Sequence, residues 1–82
     1  MVVVRFFAGF RERIGRWEIV LETGGERTLL EVLELLDREA PGLRGLYKEG
    51  KALVAINGEI AGKDTKVREG DELAIFPPVS GG

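Results

Sequence analysis

Polar and apolar residues at the start of the chain alternate as expected of a β-strand. The first eight residues, MVVVRFFA, are mostly β-branched or aromatic, which is the composition of a strand. Alternation puts Val2, Val4 and Phe6 on one face, and Val3, Arg5 and Phe7 on the other. Arg5 marks the second face as the wetter one, so we predict that the first face is core. Phe7 is then either an apolar group at the surface or packed under a loop.

A second strand is predicted for residues 17–22 (WEIVLE). Its alternation places Trp17, Ile19 and Leu21 on one face, and Trp17 is interpreted as a structural core residue. Residues 9–16 hold two glycines and four charges. We predict that they connect the two strands, with room for one turn of helix.

The middle of the chain changes to the spacing of an amphipathic helix. Thr28 and Glu31 form a capping box, with Thr28 as N-cap and Glu31 three residues later. Pro41-Gly42 ends the pattern, which predicts a single convincing helix of about 12 residues. After it, Leu43, Leu46 and Tyr47 are expected to continue the cover of the sheet as a short irregular segment. The apolar positions of the helix repeat at i, i+3, i+4 and i+7: Leu29, Val32, Leu33 and Leu36.

Two further strands are predicted after this segment. Residues 51–57 (KALVAIN) form the longer one and end in Asn57-Gly58, a tight-turn pair because both residues accept positive φ. Residues 59–61 form a short strand, which leaves Ile60 either in the core or at the surface. Residues 62–69 are expected to be a polar connection.

The last predicted strand, residues 72–76 (ELAIF), is followed by two prolines. Alternation gives Leu73 and Ile75 one face and puts Phe76 on the other. Pro77 and Pro78 lack the backbone N–H that a strand needs, so the strand cannot continue past Phe76.

The order of these elements predicts an α+β domain. One main helix packed on one face of a mixed sheet buries the apolar stripes most economically. If the first two strands form a hairpin and the last lies beside the first, the fold is a β-grasp. We therefore expect a β-grasp domain at residues 1–76 and a flexible, extended Gly-Gly tail at residues 77–82.

Composition excludes several classes of function. The 82 residues suffice for one domain, and the 12 basic and 14 acidic residues are well mixed, so no basic stripe predicts nucleic-acid binding. No apolar run is long enough to span a membrane and no signal peptide is evident, so we expect a cytoplasmic protein. Cys and His are absent. Their absence disfavours thiolate or imidazole metal sites, a Cys nucleophile and a His general base, and with them a freestanding enzyme.

The final six residues carry the candidate chemistry. Fully extended, they could project roughly 20 Å from the sheet. Glycine has no Cβ, so the last two residues fit a narrow channel and accept unusual backbone angles. We interpret the α-carboxylate of Gly82 as the reactive group that the rest of the chain presents. The tail predicted to enter a partner's channel consists of Pro77, Pro78, Val79, Ser80 and Gly81, followed by Gly82.

Motifs from one end of the chain to the other resemble the MoaD/ThiS family of ubiquitin-like sulfur carriers, and within it the small subunits of molybdopterin synthase. The most specific motif is the ending Phe-Pro-Pro-Val-Ser-Gly-Gly. Weaker matches are Phe6-Phe7-Ala8, Arg11-Glu12, Ala55-Ile56-Asn57 and Gly70-Asp71-Glu72.

The resemblance implies a carrier that is not catalytic alone and holds no bound cofactor. An E1-like adenylating enzyme of the MoeB type would use ATP to attach AMP to Gly82, and a sulfur donor would then convert the acyl-adenylate to a thiocarboxylate. The large subunit of molybdopterin synthase, of the MoaE type, would receive the tail and the sulfur. The resemblance also implies a heterotetramer of two small and two large subunits.

Docking requires a surface as well as a tail. Phe7 and Phe76 are outward by alternation and lie close together if their strands are adjacent, and Ile60 could join them. The resemblance implies that these three positions contact both partners. It also matches Arg11 to a charged family position and so places Arg11 at the partner interface, although the residues themselves favour a solvated charge run of Arg11, Glu12 and Arg13 over a site.

Three functions from different classes remain open on the sequence. The first is a sulfur carrier for molybdopterin synthase, or for another pathway such as thiamine synthesis or tRNA thiolation. The second is a ubiquitin-like modifier conjugated to proteins through Gly82. The third is an interaction module whose tail is inert.

Overall fold

A computed structural model of the protein describes residues 1–78; residues 79–82 lie outside the described part. Seven strands and three helices occur in residues 1–78. None of these helices is long and apolar enough to cross a membrane. In chain order, the elements are β1 (Val2–Phe6), α1 (Gly9–Ile14), β2 (Glu18–Leu21), β3 (Arg27–Thr28), α2 (Leu29–Leu36), α3 (Leu43–Lys48), β4 (Leu53–Ile56), β5 (Glu59–Ile60), β6 (Lys66–Val67) and β7 (Glu72–Phe76).

Five of the strands form a mixed sheet in the order β2-β1-β7-β4-β5. The central pair, β1 and β7, is parallel, and every other pair in this sheet is antiparallel. The first two strands therefore pair as predicted, and the last strand lies beside the first. This topology, with helices covering one face, is the predicted α+β β-grasp fold, in which a single sheet shares its core with α2.

The core lies between one face of the sheet and the helices. Val2, Val4 and Phe6 of β1 point into it, as do Leu73 and Ile75 of β7, and each is at most 1% exposed. The helical stripe predicted from the sequence is also fully buried: Leu29, Val32, Leu33 and Leu36.

The capping box at the start of α2 is confirmed. The backbone N–H of Glu31 donates to the hydroxyl of Thr28 (3.2 Å), and the backbone N–H of Thr28 donates to the Glu31 carboxylate (2.9 Å). These bonds satisfy two donors that a helix start would otherwise leave unpaired. They also lower the pKa of Glu31, since the backbone N–H of Thr28, and then its hydroxyl, favour the ionised carboxylate.

The prediction of a single helix is wrong. The main helix α2 has 8 residues rather than about 12, and the segment predicted to be irregular forms α3. The connection after β1 is a six-residue helix, α1, whose Phe10 is buried in the core. Both extra helices are too short for a clear apolar period; the sequence allowed one turn of helix where α1 forms and did not indicate α3.

The placement of Trp17 in the core is also wrong. Strand β2 begins at Glu18 and includes the buried Ile19 and Leu21, whereas Trp17 precedes it and is 71% exposed. The alternation was correct within the strand, but β2 begins one residue later than predicted. Trp17 therefore lies outside β2 and outside the core between the sheet and the helices.

Two other segments differ from their predicted extent. Strand β4 covers Leu53–Ile56, which is shorter than residues 51–57. The predicted polar connection at residues 62–69 contains β6, which pairs with β3 in a separate two-stranded sheet and buries Val67.

The tight turn at Asn57-Gly58 is confirmed. Both residues have positive φ, 49° and 86°, and they join β4 to β5. The Asn57 side chain also reaches the start of β7. Its Nδ2 donates to Asp71 (3.0 Å), and its Oδ1 accepts from the backbone N–H of Glu72 (3.0 Å). The turn therefore fastens the β4–β5 hairpin to the central strand.

Candidate functional site

The outward face of the sheet, opposite the helices, carries a group of charged side chains next to a group of apolar ones. Near the carboxyl end of β1, Arg5 bridges Glu18 of β2 (3.2 Å) and Glu72 of β7 (2.6 Å) across three neighbouring strands. These ion pairs are exposed, and pairs of this kind add little stability. The outward position of β7 level with Arg5 is Ala74, and the outward positions that follow are Phe7 and Phe76.

Phe7 and Phe76 meet at this carboxyl end. The parallel register pairs Phe6 with Ile75, and the backbone N–H of Phe7 donates to the Ile75 carbonyl (3.0 Å). Phe7 and Phe76, the residues that follow this pair, are therefore neighbours across β1 and β7. Phe7 is 42% exposed and Phe76 is half-buried. The predicted outward placement of the two aromatic residues is confirmed.

Ile60 is at the surface, which decides between the two placements left open by the sequence. It is 67% exposed on the short strand β5 and faces outward opposite Ala55 of β4. Ile60 does not lie against Phe76 directly, because β4 runs between their strands. The residues that fill the gap come from β4.

Leu53 is the apolar contributor that the sequence analysis missed. It pairs with Phe76 across β4 and β7 and is half-buried on the outward face. Its alternation with Val54 was a usable signal, but no faces were assigned to the strand predicted at residues 51–57. The apolar residues on the outward face around Phe76 form what we call the outward patch, within which Ala55 is itself buried: Phe7, Leu53, Ala55, Ile60, Ala74 and Phe76.

The outward patch crosses four neighbouring strands, β1, β7, β4 and β5. At about 4.8 Å between strands, it is roughly 14 Å wide. Contiguous apolar surface of this kind on a small domain is typical of a protein interface.

The chain leaves the sheet at the same end. Strand β7 ends at Phe76, and Pro77 lines a shallow depression with Gly9, Phe10 and Arg13 of α1. Pro78 is exposed. The predicted tail residues Val79, Ser80, Gly81 and Gly82 lie outside the described residues. The described part of the chain thus brings the outward patch and the root of the tail to one end of the sheet.

Arg11, on α1, lies at this end as well. Its Nε donates a long hydrogen bond to the Phe6 carbonyl (3.4 Å), and its guanidinium carbon lies 4.4 Å from the centroid of the Trp17 ring. Arg11 is half-buried. It is therefore held in place and does not belong to a freely solvated charge run.

The ionisable groups with shifted pKa values are not residues of the outward patch, although Tyr47 lines a depression with Leu53. The N-terminal ammonium of Met1 pairs with Glu69, which lowers the pKa of the Glu69 carboxyl and raises that of the ammonium. Burial raises the pKa of Tyr47, on α3. None of these groups is an outward-patch residue, so the patch offers apolar contact and no tuned acid or base.

Acidic residues elsewhere do not assemble into a metal site. Within residues 1–78, no group of three or more Asp, Glu, His or Cys side chains is placed to hold a metal ion. The carboxylates of this part that form ion pairs do so at the surface, with arginine, lysine or the N-terminal ammonium.

Comparison with known proteins gives one family and several full-length relatives. Residues 4–82 match the ThiS family. A relative from Haemophilus influenzae, described as a molybdopterin synthase sulfur carrier subunit, is 42% identical over 82 residues and covers 100% of both chains.

Two solved structures share the fold over nearly the whole chain. The small archaeal modifier protein SAMP1 from Haloferax volcanii superposes with a TM-score of 0.80 at 30% identity, covering 99% of this chain and 98% of that one. A complex of subunits 1 and 2 of the molybdopterin-converting factor from Helicobacter pylori contains a chain that superposes with a TM-score of 0.61 at 26% identity, covering 99% of this chain and 97% of that one.

Proposed function

The chain belongs to the ThiS family of sulfur carriers, and we propose that it is the sulfur-donating small subunit of a molybdopterin synthase. The observation that carries this proposal is that the outward patch lies at the sheet end from which β7 leads into Pro77 and the tail. A partner that covers the patch can receive the tail in the same encounter. The full-length similarity to the H. influenzae sulfur carrier subunit supports the choice of pathway.

The first chemical step makes the carboxylate of Gly82 reactive. A C-terminal carboxyl has a pKa of about 3.5, so at neutral pH it is an anion and a poor electrophile. A carboxylate oxygen attacks the α-phosphorus of ATP, pyrophosphate leaves, and Gly82 becomes a mixed anhydride with AMP. An E1-like adenylating enzyme of the MoeB type supplies the catalytic groups, since this chain has neither Cys nor His.

The second step replaces oxygen by sulfur. A sulfur donor at the oxidation level of hydrosulfide attacks the Gly82 carbonyl carbon, the bond from that carbon to the AMP oxygen breaks, AMP leaves, and loss of the S–H proton gives a thiocarboxylate. The soft thiocarboxylate sulfur is the nucleophile in the transfer to a pterin precursor. That transfer takes place in the large subunit, of the MoaE type, within a heterotetramer. The H. pylori complex joins two subunits of a related factor.

The tail sequence fits insertion into a channel. Pro77 and Pro78 restrict the backbone and so reduce the entropy lost when the tail is ordered on docking. Val79 supplies one apolar anchor, followed by Ser80. Gly81 and Gly82 have no Cβ that could clash with channel walls.

The outward patch serves both partners in turn. Phe7, Phe76 and Ile60 are the contacts predicted from the sequence, and Leu53 extends them. Because both partners also need the tail, the carrier engages one at a time. Alternation between partners requires moderate affinities, which suits a patch of limited width.

Intact mass spectrometry tests the carrier chemistry. The chain is incubated with ATP, an adenylating enzyme and a sulfur donor, beside a variant that lacks Gly82. We expect a mass gain equal to the replacement of one oxygen by one sulfur in the full chain and no gain in the variant. Adding the large subunit and the pterin precursor then tests the pathway. No gain with an adenylating enzyme that activates another carrier would overturn the proposal.

A second candidate is a protein modifier joined to lysines through Gly82. The similarity to SAMP1 favours it, because the same activated carboxyl could be attacked by an amine. Isopeptide-linked adducts of this chain in cells, lost when Gly82 is deleted, would support conjugation. The two candidates share the adenylation step and differ in the acceptor.

A further inference from the structure

The side chain of Trp17 is the most exposed large apolar group in residues 1–78, with 71% of its surface accessible. This side chain has a partner at the surface, because the guanidinium carbon of Arg11 lies over the Trp17 ring, 4.4 Å from its centroid. Arginine over tryptophan is the most favourable cation–π pairing. The two side chains form a defined unit, which we call the Arg11–Trp17 stack.

The topology puts this stack at the end of the sheet that carries the outward patch, on the helix-facing side. Strand β2 is antiparallel to β1, so β2 starts where β1 ends. The backbone N–H of Phe6 donates to the Trp17 carbonyl (2.9 Å), which places Trp17 level with the buried Phe6 and on the face of the sheet opposite Phe7. Helix α1, which carries Arg11, starts just after Phe7 and also borders Pro77. The stack, Phe7 and the root of the tail therefore share one end of the sheet.

The charge of Arg11 is not neutralised by a neighbour in the described part of the chain. Other arginines near the sheet have carboxylate partners: Arg5 pairs with Glu18 and Glu72, and Arg16 pairs with Glu39 (2.9 Å). Within residues 1–78, Arg11 forms no salt bridge, and its Nε alone donates a side-chain hydrogen bond, to the Phe6 carbonyl. The remaining guanidinium N–H groups can bind a carboxylate in the fork geometry that arginine prefers.

A surface stack with only a local structural role is the simpler alternative. Two features favour a role in binding. Tryptophan and arginine are the residue types most enriched among the residues that dominate interface energetics. In addition, the stacked guanidinium is already ordered, so less rotamer freedom is lost when a partner's carboxylate binds it.

We propose that the Arg11–Trp17 stack is a second docking element, in which Trp17 positions the Arg11 guanidinium to bind a carboxylate of the adenylating enzyme at the end of the sheet where the tail begins. This inference rests on the proposed function, because it assumes that the chain is adenylated. Trp17 is here a positioning residue that acts through Arg11.

The test is the exchange of labelled pyrophosphate into ATP, catalysed by a purified MoeB-type adenylating enzyme and dependent on the concentration of the carrier. We expect Trp17→Ala and Arg11→Ala each to raise the KM for the carrier about tenfold, with kcat within about twofold of wild type. Trp17→Phe keeps an aromatic face and should stay within about threefold of wild type. Trp17→Leu keeps apolar area without the cation–π contact and should behave like Trp17→Ala.

The double variant distinguishes positioning from independent contact. If Trp17 acts through Arg11, the Arg11→Ala/Trp17→Ala chain should have about the same KM as either single variant, whereas independent contacts would multiply to about a hundredfold. Val20→Ala is the matched control, since Val20 is an exposed apolar residue of β2 toward the other end of the sheet. It should exchange like wild type.

The outcomes separate this inference from the proposed function. No carrier-dependent exchange with the wild-type chain would overturn the proposed function itself. Wild-type exchange together with an unchanged KM in Trp17→Ala would overturn the docking role of the stack alone. A multiplicative double variant would overturn the positioning of Arg11 by Trp17. Thermal unfolding of each variant shows whether a raised KM reflects loss of the fold, and Trp17→Phe rescue would not follow from such a loss.

Discussion

Ile60 offers the sharpest test of the outward patch, because its side chain contributes little to the fold. It lies on the two-residue edge strand β5 and is 67% exposed. We predict that Ile60→Ala weakens binding to the adenylating enzyme and to the large subunit while leaving the domain folded. An isoleucine-to-alanine substitution in the core would instead lower the stability of the fold strongly and remove no contact with a partner.

The size of the effect follows from the exposed fraction. Burying an isoleucine side chain completely is worth about 1.5–3 kcal/mol. With 67% of Ile60 exposed, about two thirds of that, ~1–2 kcal/mol, is available to a partner, and at most ~1 kcal/mol stabilises the fold. Since 1.4 kcal/mol is a factor of ten, we expect a roughly tenfold higher Kd and a loss of unfolding free energy below ~1 kcal/mol.

Isothermal titration calorimetry with each purified partner measures the affinity, and urea unfolding measures the stability. Val20→Ala is the control, because Val20 is exposed on the outward face but lies outside the patch, on the far edge strand β2. It should bind within about twofold of wild type. An Ile60→Ala chain that binds both partners like wild type would refute the docking role of the patch. A stability loss well above ~1 kcal/mol would contradict the exposed placement of Ile60.

Three further predictions concern the fold. Asn57→Ala removes the bond to Asp71 and puts alanine at φ 49°, so urea unfolding should show a loss of ~2–3 kcal/mol, whereas Asn57→Gly, which tolerates that φ, should lose less. Thr28→Ala should lower the free energy of unfolding by ~1 kcal/mol, because α2 loses its N-cap. Thr28 lowers the pKa of Glu31 in the folded state, so the stability that the Glu31 carboxylate contributes is present above its ordinary pKa and is lost as the pH falls through the folded-state pKa. The stability–pH curves of wild type and variant should therefore converge in acid. Ala8 has φ 52°, so Ala8→Gly should raise the urea midpoint, by ~1 kcal/mol in unfolding free energy, and an unchanged or lower midpoint would contradict strain there.

Strongly patterned segments were predictable from sequence alone. Strand β7 has the predicted bounds, and the capping box of Thr28 and Glu31 forms as expected. The tight turn at Asn57-Gly58 was equally predictable from the sequence. In each of these cases the determinant is local: a period of two, a side chain three residues from its backbone partner, or two residues that accept positive φ.

The short elements were not predictable in this way. Strands β3 and β6 have two residues each and pair across nearly forty residues of chain, so neither has a period of its own. They exist because each supplies the other's hydrogen bonds, and Val67 is buried as a result. The six-residue helices α1 and α3 likewise follow from packing against the core more than from their own pattern.

The candidate site divides along the same line. The sequence by itself determined which residues face outward on β1 and β7, and it supplied the Pro-Pro and Gly-Gly residues of the proposed tail. Only the tertiary structure decided that Phe7 and Phe76 are neighbours, that Leu53 joins them, and that Ile60 is exposed. It also decided that Trp17 leaves the core to stack on Arg11. The physical reason is that alternation specifies a face within one strand, whereas strand order, register and the point where a strand begins depend on partners that are distant in sequence.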